Sequence, residues 1–161
     1  MPLEIERKFL VEGESWRDGV ERSQAMRQGY LAGEGGRASV RVRVEGEQAR
    51  LNIKAAVVGR ARAEYDYPVP LEHAQEILAS LCVGVVEKTR HFIRQGELTW
   101  EVDEFEGANA GLVVAEIELP AEDTAFDQPA WIGREVTEDQ RYYNHALSMT
   151  PYAEWPDADR G

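Results

Sequence analysis

Six times along this chain one charge sign repeats at positions i and i+2 inside a run that otherwise alternates with apolar residues. The pairs are Glu4/Glu6, Arg41/Arg43, Glu64/Asp66, Lys88/Arg90, Glu101/Asp103 and Glu116/Glu118. Alternation of period two is the signature of a strand with one apolar and one polar face. An ordinary solvent face mixes Thr, Ser, Gln, Lys and Glu. Like charges two apart on one face repel, so six such pairs cost stability unless something binds between them. The pattern therefore asks for both a sheet and a ligand.

The two signs form two chemical kits. Lys8, Arg41, Arg43, Lys54, Lys88 and Arg90 supply cations, which suit phosphate oxygens: Arg as a bidentate fork, Lys as a point charge. Glu4, Glu6, Glu101, Asp103, Glu116 and Glu118 supply carboxylates without His or Cys among them. Hard oxygen donors fit Mg²⁺ or Mn²⁺ rather than Zn²⁺. A carboxylate–metal–phosphate arrangement satisfies both kits together.

Strand patterns run over 3–11, 24–32, 38–45, 49–55, 62–69, 85–94, 97–105 and 113–119. Helical spacing occupies 71–81, and Ser15-Trp16-Arg17-Asp18 caps a short helix within 12–23. Thr137-Glu138-Asp139-Gln140 reads as a capping box opening a helix to about 147. The stretch from Pro120 to Arg134 reads as a loop, and the tail at 149–161 as irregular. The expected fold is α+β and mainly antiparallel: one domain over 1–161 with its core at about 3–150. A closed barrel of eight strands has room inside for side chains or one small ligand. Burying a dozen charges dry would cost several kcal/mol per ion, so the expected barrel is inside-out. Charges line a wet interior, and apolar faces pack outward against helices 71–81 and 137–147 or a second subunit.

Composition excludes several classes. With 18 Lys+Arg against 30 Asp+Glu the net charge is −12, which repels nucleic acid and anionic lipid. No apolar run approaches the roughly 18 residues of a membrane span. The N-terminus shows no signal-peptide core, and the lone Cys82 has no intramolecular disulfide partner. The expected compartment is the cytoplasm. His73, His91 and His145 lie far apart and are not read as ligands. The turn Gly33-Glu34-Gly35-Gly36 lacks the Lys-Ser/Thr step of a phosphate loop, and the four tryptophans read as packing residues.

Glu4-x-Glu6-x-Lys8 near the N-terminus resembles the ExExK signature of the CYTH superfamily, the triphosphate tunnel metalloenzymes. The resemblance extends through Arg41-Val-Arg43, Lys54, Arg62-Ala-Glu64, Glu87-Lys-Thr-Arg90 and Trp100-Glu-Val-Asp103. It continues to Gly111-Leu-Val-Val-Ala-Glu116-Ile-Glu118-Leu and Gly133-Arg-Glu-Val-Thr137, with the order and spacing of the short bacterial members. It implies an eight-stranded tunnel that hydrolyses inorganic triphosphate to diphosphate and phosphate with a divalent cation, Mg²⁺ or Mn²⁺. Metal would be held by Glu4, Glu6, Glu116 and Glu118, with Asp103 near that cluster. Lys8, Arg41, Arg43, Lys54, Lys88 and Arg90 would grip the phosphates and serve catalysis, and Glu64 would stand among the substrate contacts. It also implies homodimerisation through an apolar outer sheet face. Other readings of the same tunnel are a class IV adenylate cyclase, a thiamine or nucleoside triphosphatase, and a non-catalytic polyphosphate binder.

Overall fold

The computed structural model describes residues 3–32, 35–58 and 60–160. The alternating runs form β1 (Leu3–Val11), β2 (Arg22–Tyr30), β3 (Ala38–Glu45), β4 (Gln48–Ala55) and β5 (Ala61–Pro68). After α1 (Leu71–Ser80) come β6 (Gly84–Gln95), β7 (Leu98–Phe105) and β8 (Val113–Glu118). Neighbours pair antiparallel in the order β5-β4-β3-β2-β6-β7-β8-β1. β1 then pairs with β5 through Leu3↔Ala63 and Glu4↔Arg62, which closes the ring of eight. Gly46 and Gly96 take φ of 58° and 61° in the β3–β4 and β6–β7 turns, a region that disfavours side chains with a Cβ. In the turn read at 33–36, positions 33 and 34 lie outside the described residues.

A ninth strand, β9 (Ile132–Glu135), occupies part of what the sequence reads as a loop. It pairs with the Phe9–Val11 end of β1, beyond Ile5, where the β5 pairing stops. Four residues are too few to display a period.

The barrel is inside-out, as the charge pattern demands. The outer face of β1 and β6–β8 carries Phe9, Ile93, Trp100, Val102, Ala115 and Ile117, all buried. Trp16 and the segment with Phe126 and Trp131 cover them. α1 covers Val42 and Ala49 of β3 and β4 with Ala74 and Leu78.

The helix expected over 137–147 does not form as read. A 3₁₀ turn spans Gln140–Tyr142, and the helix proper, α2, is Asn144–Met149. Thr137 does not cap a helix because β1 uses it: the backbone N–H of Lys8 donates to Thr137 Oγ1 at 3.0 Å. Asp139 accepts from the N–H of Arg141 and starts the shorter turn instead. Nor does this segment cover an outer sheet face. It lies over one end of the barrel, where inward-facing Leu10, Val86, Phe105 and Val114 meet Tyr142, Leu147 and Trp155. The tail is more ordered than expected, with 3₁₀ turns at Tyr152–Glu154 and Asp157–Asp159 and Trp155 buried between them.

Candidate active site: a cavity with two charge halves

Period two and the closed ring together aim even-numbered residues of β1, β2, β4–β6 and β8, and odd-numbered residues of β3 and β7, inward. A cavity of about 380 Å³ results. Glu4, Glu6, Lys8, Arg41, Arg43, Lys54, Glu64, Arg90, Glu116 and Glu118 all line it. Ten sequence candidates drawn from six strands thus meet in one space.

Lys88 and Asp103 sit elsewhere. Neither lines the cavity. Lys88 is completely buried, and its Nζ lies 2.7 Å from Asp103 Oδ2 and 3.0 Å from Asn144 Oδ1. Asp103 in turn clamps Arg90 with both oxygens, at 2.7 and 2.9 Å. The pair stands behind the wall and fixes the guanidinium of Arg90, which also reaches Glu101 at 2.8 Å. Burial pushes the Lys88 ammonium down to about 8, with Arg90 beside it adding to the effect and Asp103 opposing it.

The cation half is crowded. Burial pushes Arg43 down to about 10, and Arg41 and Arg90 add like-charge repulsion. Lys8, Arg43, Lys54, Arg62 and Arg90 each have a carboxylate partner. Arg41 has no ion pair among the described residues; its group meets Tyr30, and its Nε is buried without an acceptor. An anion placed here would relieve repulsion and accept that orphaned donor.

The carboxylate half has the mirror-image difficulty. Burial, followed by the charge of Glu116, pushes Glu6 up to about 8. Burial disfavours the charge of Glu116 too, but Lys8, Arg90 and Lys88 overcome it and hold this carboxyl well below its usual range. Of the pair, Glu6 is the member whose charge the site disfavours. Burial also raises Glu118 and Glu101, with neighbouring carboxylates contributing to both shifts. Among the described residues no three carboxylates close on one point as ready ligands; Glu4 leans on Lys54 at 2.6 Å instead. The donor set nevertheless fits a hard divalent cation. It is all oxygen, and a cation would offset the repulsion that raises Glu6.

The lining also includes residues that the strand pattern did not single out. Tyr30 and Arg62 line the cavity, and so does Asn52. Gln140, Tyr143, Asn144 and His145 line it from the far end of the chain. Lys8 Nζ donates to the carbonyl of Tyr142 at 3.3 Å. The Tyr143 ring lies 4.9 Å from both Lys8 Nζ and the Arg62 guanidinium. His145 stacks on Tyr30 with ring centroids 4.5 Å apart. Only register assigns β2's Tyr30 to the interior, and nothing in the sequence ties residues 140–145 to it.

Comparison with known proteins agrees with this geometry. An inorganic triphosphatase from Acetivibrio thermocellus is 46% identical over 153 residues, covering 94% of this chain and 97% of that protein. A second inorganic triphosphatase, from Nitrosomonas europaea, is 36% identical over 151 residues, covering 91% and 97%. A crystal structure of an inorganic triphosphatase superposes with a TM-score of 0.68 at 34% identity, covering 91% of this chain and 97% of that one. Residues 2–150 match the CYTH domain. A closed eight-stranded ring, an interior of opposed charge halves and this match across nearly the whole chain have one reading: the protein belongs to the CYTH family.

Proposed function

We propose that this chain is a hydrolase that splits inorganic triphosphate into diphosphate and phosphate. The observation that carries the reading is the cavity itself, where an under-neutralised cation half faces an under-neutralised carboxylate half. A triphosphate with a divalent cation satisfies both. The relatives named above support the same activity.

Phosphoryl transfer needs little covalent help, so positioning and charge stabilisation do most of the catalysis. Arg41 and Arg43 offer donors to the phosphate oxygens, and Arg90 does so from the clamp of Asp103 and Glu101. Lys8 and Lys54 supply point charges that offset the negative charge growing on the leaving diphosphate. Glu64 tethers Lys54 at 3.5 Å. Lys88 and Asp103 act through Arg90, holding it at a fixed pose. Glu4, Glu6, Glu116 and Glu118 would hold the cation, Mg²⁺ or Mn²⁺. When bound, it supplies Lewis-acid polarisation of the phosphates and a more acidic water. One of the cavity carboxylates would orient the attacking water.

A second reading rests on the rim. Val57 and Val58 line the cavity and stay about half exposed, and the stacked Tyr30 and His145 line it too. An apolar rim favours a triphosphate with an organic substituent. The deciding assay measures phosphate release from inorganic triphosphate, ATP and thiamine triphosphate, with Mg²⁺, Mn²⁺ and EDTA in parallel. Fast, EDTA-sensitive turnover of inorganic triphosphate above the other two is expected. Faster turnover of an organic triphosphate would move the function to the second reading, and binding without turnover would leave a polyphosphate-binding module. We further read residues 1–161 as one domain and place the protein in the cytoplasm. We also propose that it self-associates through the outer face of β4 and β5, where Tyr65 and Tyr67 are exposed.

A further inference from the structure

On the outer side of the wall, away from the cavity, three side chains on adjacent strands form one hydrogen-bond chain. Ser23 of β2 and His91 of β6 are direct cross-strand partners, and Ser23 Oγ lies 2.7 Å from His91 Nδ1. Glu104 of β7 stands diagonally across from His91 and brings Oε1 to 3.0 Å from His91 Nε2. From the other side Arg17 grips both oxygens of Glu104, at 3.3 and 2.8 Å. The imidazole ring packs against Trp16, with centroids 5.0 Å apart.

The direction of the hydrogen bonds follows from elimination. Glu104 is a carboxylate, held below its usual range first by Arg17 and then by His91, so it only accepts. His91 must then donate from Nε2. In a neutral imidazole that leaves the Nδ1 lone pair facing Ser23, whose hydroxyl must be the donor. The chain runs Ser23 O–H to His91, then His91 N–H to Glu104, with Arg17 fixing the end. Nucleophile, base and orienting carboxylate stand within the distances that activate a serine. Ser23 is exposed, whereas only 12% of the His91 side chain reaches solvent.

We propose that Ser23 is an activated surface nucleophile, a modification site for small acyl donors, with His91 as its general base and Glu104 as the residue that orients His91. Ser23 lines neither this cavity nor the second groove at the Phe92 and Thr99 end of the barrel. The reaction class is accordingly a single acyl transfer from an activated donor such as an aryl ester or acyl phosphate. Ser23 Oγ attacks the acyl carbon and its proton passes to His91 Nδ1. The bond from the acyl carbon to the leaving oxygen breaks, and the aryloxide or phosphate departs with the electron pair. His91 then returns its proton to solvent, leaving O-acyl-Ser23.

The test incubates the full chain with p-nitrophenyl acetate at neutral pH and reads acetylation at each serine by peptide mass spectrometry. Ser80 is the internal reference, an exposed serine whose hydroxyl donates only to the carbonyl of Glu76, at 2.7 Å. Ser23 should react about a hundredfold or more faster than Ser80, the low end of what a positioned base contributes. His91→Gln and Glu104→Gln should each bring Ser23 close to the Ser80 rate. Triphosphate hydrolysis and circular dichroism should be retained in both. If His91→Gln fails to fold, Glu104→Gln, a surface change, still decides. Equal rates at Ser23 and Ser80, or a fast Ser23 that survives the substitution in folded protein, overturn the proposal.

Discussion

Arg41 differs from the other cations of the cavity in having no carboxylate partner among the described residues, while its Nε is buried without an acceptor. That makes it the side chain with most to gain from an anion and least to do for the empty fold. Arg41→Ala should cut triphosphate hydrolysis by about a hundredfold or more, the usual cost of removing one preorganised donor. Its thermal midpoint should stay close to the parent's, because no carboxylate loses a partner and the Tyr30 hydroxyl keeps its bond from Gln28 at 2.9 Å. A folded variant with near-parental turnover would remove Arg41 from the machinery. Lys88 presents the contrasting case. Alternation places it on the same face as Arg90, but only the folded ring shows Phe105 opposite it and Asn144 above it, which seal it from the cavity. Removing its charge leaves Asp103 with one fewer donor in a dry site, so Lys88→Ala should lower both stability and turnover, with a stability loss of about 3–5 kcal/mol.

At the scale of elements, two contacts invite substitution. Gly29 of β2 faces α1, where an added Cβ would come within 2.4 Å of Cys82 Sγ and 2.8 Å of Leu78. Gly29→Ala should destabilise by about 1–3 kcal/mol through overpacking, and Cys82→Ala should recover part of that loss in thermal melts. β9 joins β1 through a fork in which Arg7 Nε and Nη2 donate to Glu135 at 2.9 and 2.6 Å. These bonds hold the Glu135 carboxyl below its usual range. A depressed folded pKa contributes stability that is present above the unfolded value, near 4.5, and is lost as pH falls through the folded value. The thermal midpoint should therefore drop as pH is lowered from about 5 to 3, and Glu135→Gln should make that limb shallower, by about 1 kcal/mol at most. The strands themselves were legible because each carries five or more alternating residues. β9 has four, and Thr137, spelled like a helix cap, was claimed by the backbone of Lys8 instead.

Across the whole molecule, a chain of net charge −12 keeps its cations in an enclosed interior. Enclosed charges are screened less than exposed ones. Binding of triphosphate, followed by calorimetry, should therefore weaken less with added salt than binding to an exposed basic patch would. The outer face tells the complementary story: Tyr65 and Tyr67 remain 39% and 52% exposed on β5. Light scattering should give about twice the 18.1 kDa of the chain, and Tyr67→Glu should return a monomer with parental activity. A parent that scatters as a monomer would end the self-association proposal.

The sequence by itself determined the strands, the inward set of charges and the need for two ligands of opposite sign, since period-two alternation is local and like-charge repulsion is visible in the residue order. Tertiary structure alone decided which charges share the cavity and which stand behind its wall, because that depends on register and on what covers each end of the barrel. It also brought Tyr142, Tyr143 and Asn144 onto the cations of β1 and β6, and set Ser23, His91 and Glu104 in line on the outside. Those contacts join residues as far apart as 134 positions, a proximity that closing the ring creates and that no local pattern encodes.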